Sequence, residues 1–210
     1  MSAHKGPFLH VVGVIGLKAA GKGVFCDRLQ AQGYTSFRLS DAVRNAMLEE
    51  VENSAPSVTQ MQDFSNRKKR ETGDFGYWGS RVLELAEKRG CLKVLLDGVR
   101  NPAEIESARR VAGSAFALVG ITAPIEIRAE RFMKRGQAGD PLEMMKFLRV
   151  DDRDRGVGEP ENGQLVDRCL AQVPFNNLYN NAGSLQEFYD WTDTTICRLL
   201  HDIGLHCGAI

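Results

Sequence analysis

A short apolar run that passes directly into a glycine-bounded loop and a lysine constrains this chain more than any other feature. Val11-Val12-Gly13-Val14-Ile15 is β-branched and almost wholly apolar, the pattern of a strand buried on both faces in a parallel sheet. Gly16-Leu17-Lys18-Ala19-Ala20-Gly21-Lys22 follows at once and fits GxxxxGK. Val24 to Gln32 then carries apolar residues at helical spacing. This order of strand, loop and helix lets successive backbone N–H groups wrap a phosphate while the helix presents its positive end. Gly16, Lys18, Ala19, Ala20, Gly21, Lys22, Gly23 and Val24 are the candidate ATP-binding positions. The Lys22 ammonium is expected to reach the β- and γ-phosphates. The plainer alternative is a tight glycine turn with a solvated lysine.

One departure bears on the metal. The phosphate-loop pattern continues with Ser or Thr, whose hydroxyl binds Mg²⁺, whereas Gly23 and Val24 stand here. Magnesium then depends on water and a carboxylate.

The rest of the chain alternates. Strands are expected at Ser36–Leu39, Lys93–Leu96, Ala115–Ile121 and briefly at Leu178. Helices are expected after a cap at Ser40 or Asp41, over 59–89 with a break near Gly73 to Gly79, and at Pro102–Val111 and Pro124–Lys134. A last one runs over Ser184–Leu200, with a Ser184/Glu187 capping box. Such alternation implies an α/β protein, a parallel sheet sandwiched by helices with right-handed crossovers. At 210 residues one domain is expected over 1–210, with an acceptor-binding helical segment at about 40–89. Gly136 to Gln164, rich in charge, glycine and proline, is expected to be a mobile lid insert with a helix near Leu142 to Val150.

Lys+Arg and Asp+Glu both number 27, so any anion site must arise from local clustering of cations rather than bulk charge. The opening residues lack the apolar stretch of a signal peptide, and no apolar run reaches the ~20 residues that cross a bilayer. Cys26, Cys91, Cys169, Cys197 and Cys207 are scattered without CxxC pairing, which suits free or buried thiols in a reducing compartment. A cytoplasmic protein is expected. A zinc deaminase is excluded by the lack of HxE with PCxxC.

The third strand ends in Leu95-Leu96-Asp97-Gly98-Val99-Arg100-Asn101. Ligands of open α/β sheets bind beyond the carboxyl ends of strands, where Asp97 can hold a hydrated magnesium ion or orient an acceptor oxygen and Arg100 can clamp a phosphate. A capping aspartate and a surface arginine are the other reading. Asp-Gly-Val-Arg together with the P-loop resembles the nucleoside and deoxynucleoside monophosphate kinases and the dephospho-CoA-kinase-like proteins, over Val11 to about Tyr189. Gly33 to Arg44 looks like the start of their monophosphate-binding segment. Gly139-Asp140-Pro141, Asn162-Gly163-Gln164 and Asn180 to Leu185 resemble later landmarks. By that resemblance Ser40 and Arg44 line the acceptor site, and Arg44 and Arg100 hold its phosphate. Ser40 also suits a helix cap and Arg44 a solvated face. Asn66-Arg67-Lys68-Lys69-Arg70 would add charge there or form a wet helix face, and Tyr77-Trp78 suit a base platform or the core.

Arg128, Arg131 and Arg135 recur every three to four residues and so share a helix face, where like charges repel unless an anion lies among them. Arg149, Arg153 and Arg155 follow in the insert, interleaved with Asp151, Asp152 and Asp154, whose internal pairs would hold a lid open until ATP arrives. The expected chemistry is in-line transfer of the ATP γ-phosphoryl group, with Lys22, Asp97, Arg131 and Arg135 as catalytic groups and Mg²⁺ held through water by Asp97. Two alternatives stay open: a dephospho-CoA-kinase-like enzyme and a nucleotide-binding sensor without turnover. Small nucleotides are the implied partners; neither nucleic acid nor membrane is expected, and oligomeric state is open.

Overall fold

The computed structural model describes residues 8–50, 56–135 and 143–207. Five parallel strands form one sheet in the order β2-β3-β1-β4-β5: β1 His10–Ile15, β2 Thr35–Arg38, β3 Lys93–Val99, β4 Phe116–Thr122 and β5 Leu178–Asn180. Strand β1 lies at the centre and is buried along its whole length. Its residues alternate as a pleat requires. Val11 and Ile15 join a core with Leu96, Ile105, Trp78 and Val82, whereas Val12 and Val14 join another with Phe25, Leu29, Leu95, Phe188 and Ile196. Two cores on opposite faces explain why β1 is an unbroken apolar run.

Helices cover both faces. They are α1 Lys22–Ala31, α2 Leu39–Glu50, α3 Val58–Thr72, α4 Tyr77–Lys88, α5 Pro102–Ala112, α6 Ile125–Arg135, α7 Met144–Arg155, α8 Val166–Leu170 and α9 Leu185–Asp202. The α9 capping box forms as expected, with Ser184 accepting from the Glu187 backbone and Glu187 accepting from the Ser184 backbone. A further box at Asn101 and Glu104, with Pro102 in the first turn, starts α5. Helix α2 begins at Leu39, so Ser40 and Asp41 lie in its first turn and do not cap it. Helices α3 and α4 are parted at Gly73 to Gly76, while Gly79 lies inside α4.

Gly136 to Leu142, with the Gly139-Asp140-Pro141 landmark, fall outside the described residues. The described part of the insert is packed rather than loose. Helix α7 buries Phe147 against Ala129 and Phe132 of α6, and it buries Asp151 and Asp154 as well. The cysteine expectation needs a correction. Cys197 and Cys207 are joined in a disulfide with Cα atoms 5.0 Å apart, because the chain reverses after α9 at Gly204; Cys26, Cys91 and Cys169 are free. Among the described residues no helix is long and apolar enough to cross a membrane.

Candidate active site: a cationic cleft beside the phosphate loop

Parallel strands send their carboxyl ends to one edge, so the loops after β1, β2 and β3 converge there. The loop after β1 is a concave turn. Ala19 adopts φ 58° and is the one non-glycine with positive φ among the described residues; Gly21 follows at φ 112°. Left-handed residues between right-handed ones aim successive N–H groups to one side. The loop is wedged in place from below. A Cβ on Gly16 would lie 2.3 Å from the Ile121 carbonyl oxygen. Asn181 donates to the Ala20 carbonyl at 2.9 Å while its own backbone N–H bonds Thr122, so the Asn180 to Leu185 landmark buttresses the loop.

Lys22 Nζ curls back over this turn, donating to the Gly16 and Leu17 carbonyls at 2.6 and 3.1 Å. Burial and the neighbouring Arg100 and Lys18 lower its pKa to about 8, against a pull upward from Asp97. Across from it opens a cleft of about 450 Å³. Its lining brings together Lys18, Ala19, Gly21, Lys22 and Gly23 from the loop, Ser40 and Arg44 from α2, Asp97 and Arg100 from the end of β3, and Arg131 and Arg135 from α6. Seven cations (Lys18, Lys22, Arg38, Arg44, Arg100, Arg131, Arg135) face three acids (Asp41, Asp97, Glu104), so a chain with no net charge still builds a positive pocket. Nη1 of Arg131 is buried without a hydrogen-bond partner among the described residues, a donor awaiting an acceptor.

Several sequence expectations are redirected. Arg128 belongs to no lid face. It is buried, fully engaged by Asp151 through both terminal nitrogens and by the Ala123 carbonyl at 3.0 Å, and it bolts α6 to α7. Arg153 pairs with Glu159 and Asp63, and Arg155 with Asp167; these two and the exposed Arg149 stay outside the cleft lining. Asp154 pairs with no insert arginine but with Lys18 of the loop. In the 66–70 block, Arg67 and Lys68 are tied to Glu50 and Glu71, and Lys69 is buried against Glu104, so none of the block lines the cleft. Tyr77 and Trp78 pack edge-on, and Trp78 belongs to the core although one side of it meets the cleft.

Other lining residues were not singled out as site residues by the sequence. Arg38 stands beside Asp97 in register and donates to it at 2.9 Å. Gln62 and Gln164 are buried at the cleft wall. The Asn162-Gly163-Gln164 landmark docks on the β3–α5 turn, where Asn101 donates to the Gly163 carbonyl at 2.9 Å. Arg38 was readable as the end of a strand but not as the partner of a carboxylate 59 residues away.

For a magnesium ion the donor set is partial. No cluster of three or more His, Cys, Asp or Glu suited to a metal exists among the described residues, and Gly23 offers no hydroxyl. Asp97 is the carboxylate at the end of β3 in the cleft lining, and it is paired with Arg38.

A parallel β-sheet sandwiched by helices, with a phosphate loop after the central strand, defines a P-loop fold. The chain belongs to the AAA domain family AAA_18, whose model matches residues 12–145. It is 31% identical over 180 residues to a UPF0200 protein of Methanoregula boonei, covering 86% of this chain and 92% of that protein. It is 27% identical over 174 residues to a UPF0200 protein of Pyrococcus horikoshii, covering 80% and 91%. Among solved structures it is similar to TT1252 from Thermus thermophilus, with a TM-score of 0.56 and 17% identity over 90% of this chain and 97% of that one.

Proposed function

We propose that this chain is an ATP-dependent phosphotransferase whose acceptor is a nucleoside monophosphate or a closely related small phosphorylated nucleoside. The observation that carries the reading is the single cleft in which loop lysines and arginines from four other elements meet. A lone triphosphate site needs the loop and Lys22; Arg44 of α2 and Arg100 after β3, in the same lining, suit a second phosphate.

In this reading the loop amides and Lys22 hold the donor phosphates, Arg44 and Arg100 clamp the acceptor phosphate bidentately, and Arg131 and Arg135 stabilise charge on the transferring group. Helices α6 and α7 would serve as the lid and α2 to α4 as the acceptor wall. Mg²⁺, when bound, would neutralise charge shared by the β- and γ-phosphates. The acceptor phosphate is already ionised, so the chain's part is positioning and electrostatics, with no general base. Arg38 must share or yield Asp97 as the nucleotide enters.

Gly23 and Val24 favour a second reading, a sensor that binds triphosphate without turnover. The deciding experiment incubates the protein with ATP, Mg²⁺ and a panel of ribo- and deoxynucleoside monophosphates plus dephospho-CoA, and follows ADP. Release that depends on a monophosphate supports the proposal. Release with dephospho-CoA alone moves the acceptor to a ribose hydroxyl, and tight ATP binding without ADP from any acceptor supports the sensor.

A further inference from the structure

Nothing in GxxxxGK asks for a cation at position 18, yet Lys18 is there and its side chain is only 10% exposed. Its ammonium is held by Asp154 of α7, a carboxylate almost entirely out of solvent. Asp154 also accepts from Gln62 Nε2 at 2.7 Å and faces Arg100 Nη1 at 3.6 Å. One buried carboxylate thus serves two cations and an amide, all at the wall of the cleft. Burial lowers the Lys18 pKa; Asp154 opposes the shift, and Arg100 and Arg135 add to it. Asp154 is held at about 2, and so stays ionised, because Lys18 and Arg100 outweigh its own burial. Lys18, Lys22, Arg100 and Arg135 therefore repel one another across a shared space, and an entering anion relieves them.

We propose that Lys18 is a second phosphate-contacting lysine of this loop, directed at the transferring phosphoryl group, and that Asp154 is the positioning residue that holds it there from α7. The inference rests on the phosphotransferase reading and deepens it. An ammonium has three N–H donors, so Lys18 can keep Asp154 and still offer a charge-assisted bond to a phosphate oxygen. Gly23 and Val24 bring no hydroxyl to help hold a metal on the phosphates, and a side-chain cation adds positive charge beside them without one. The same helix pair carries the other cations: Arg128 and Asp151 join α7 to α6, and α6 bears Arg131 and Arg135. The seating of these two helices therefore sets Lys18 as well as the arginines.

The competing role is a structural tie between α7 and the loop. The two roles separate because a buried ion pair replaced on both sides by apolar groups of similar volume is often neutral for stability. Calorimetric titration with ATP, with and without Mg²⁺, is run on the wild-type chain, Lys18→Met, Asp154→Asn, and the double replacement Lys18→Met with Asp154→Leu; thermal melts check folding. Lys18→Met is expected to weaken ATP binding about 10-fold, the scale of one hydrogen bond to a charged group. The apolar double variant is expected to melt near the wild type yet lose the same affinity. Asp154→Asn is expected to weaken ATP several-fold alone, and the double replacement to lose no more than Lys18→Met does, which a merely structural carboxylate would not do. Acceptor-dependent kcat is expected to fall about 10²-fold in Lys18→Met, more than affinity does. Wild-type affinity and turnover in the double variant would overturn the inference and leave the phosphotransferase reading standing. A wild-type chain that binds neither ATP nor GTP overturns both. One that binds ATP without turnover leaves the decision to the affinity measurements.

Discussion

Two demands meet at Gly21. The backbone there runs at φ 112°, and an added Cβ would lie 2.4 Å from Asn181 Nδ2, the group that holds the Ala20 carbonyl. Gly21→Ala should therefore both strain the turn and unseat its buttress. The expected result is a loss of at least about 10-fold in ATP affinity by calorimetry, together with a lowered melting temperature. Gly23 is the opposite case. It is exposed in the first turn of α1, with nothing within 4 Å of an added Cβ. Gly23→Ser should fold at least as well, since glycine costs a helix roughly 0.5–1 kcal/mol relative to alanine. Its hydroxyl should enlarge the gain in ATP affinity on adding Mg²⁺; an unchanged gain would show that the metal does not approach this position. His10 supplies a pH signal. Burial lowers its pKa to about 4, Asp202 pulling it up and Lys93 down, and its Nδ1 is bonded to the Tyr34 hydroxyl. A folded pKa below the unfolded one means that the unfolded chain takes the proton first. The stability from neutral His10 is present above pH 6.5 and lost as pH falls toward 4, at up to about 1.4 kcal/mol per unit. Urea midpoints from pH 7 to 4 should fall in the wild type and fall less in His10→Phe.

Among the elements, the pairing of α6 with α7 matters most for the site. Its small core of Ala129, Phe132 and Phe147 is flanked by the Arg128–Asp151 pair, with both partners buried. Arg128→Met leaves Asp151 charged and alone, at a cost of about 3–5 kcal/mol, whereas replacing both by apolar residues should recover most of it. Denaturant melts of the single and double variants measure this directly. Periodicity in the sequence read Arg128, Arg131 and Arg135 as one face, and the helix is there. The face is split by what packs on it, because spacing specifies which residues are neighbours but not which of them meets a buried carboxylate 23 residues on. Caps were more legible. Ser184 with Glu187 and Pro102 with Glu104 lie within one turn of their helices, so a local reading suffices. The start of α2 was not, because β2 runs into it without a separating turn.

For the molecule as a whole, the cleft concentrates positive charge in a chain with none to spare, and that repulsion is a cost until an anion enters. A ligand binding only the folded state at 100 times its Kd adds about 2.7 kcal/mol, which for a chain of this size is a rise of about 5–10 °C in melting temperature. ATP or inorganic triphosphate should give such a rise, smaller at high salt, and Lys22→Met should abolish most of it. What contiguous residues encode was settled by sequence alone: the buried strand, the glycine loop with Lys22, the alternation that makes a parallel sheet, and the placing of Asp97 and Arg100 at a strand end. These depend on steric and periodic rules acting within a few residues. The tertiary structure alone decided that Lys18 meets Asp154 across 136 residues, that Arg38 takes Asp97, that Arg128 is buried while Arg131 faces the cleft, and that Cys197 meets Cys207. A charged side chain's partner depends on where the chain returns in space, and burial then makes that partner obligatory.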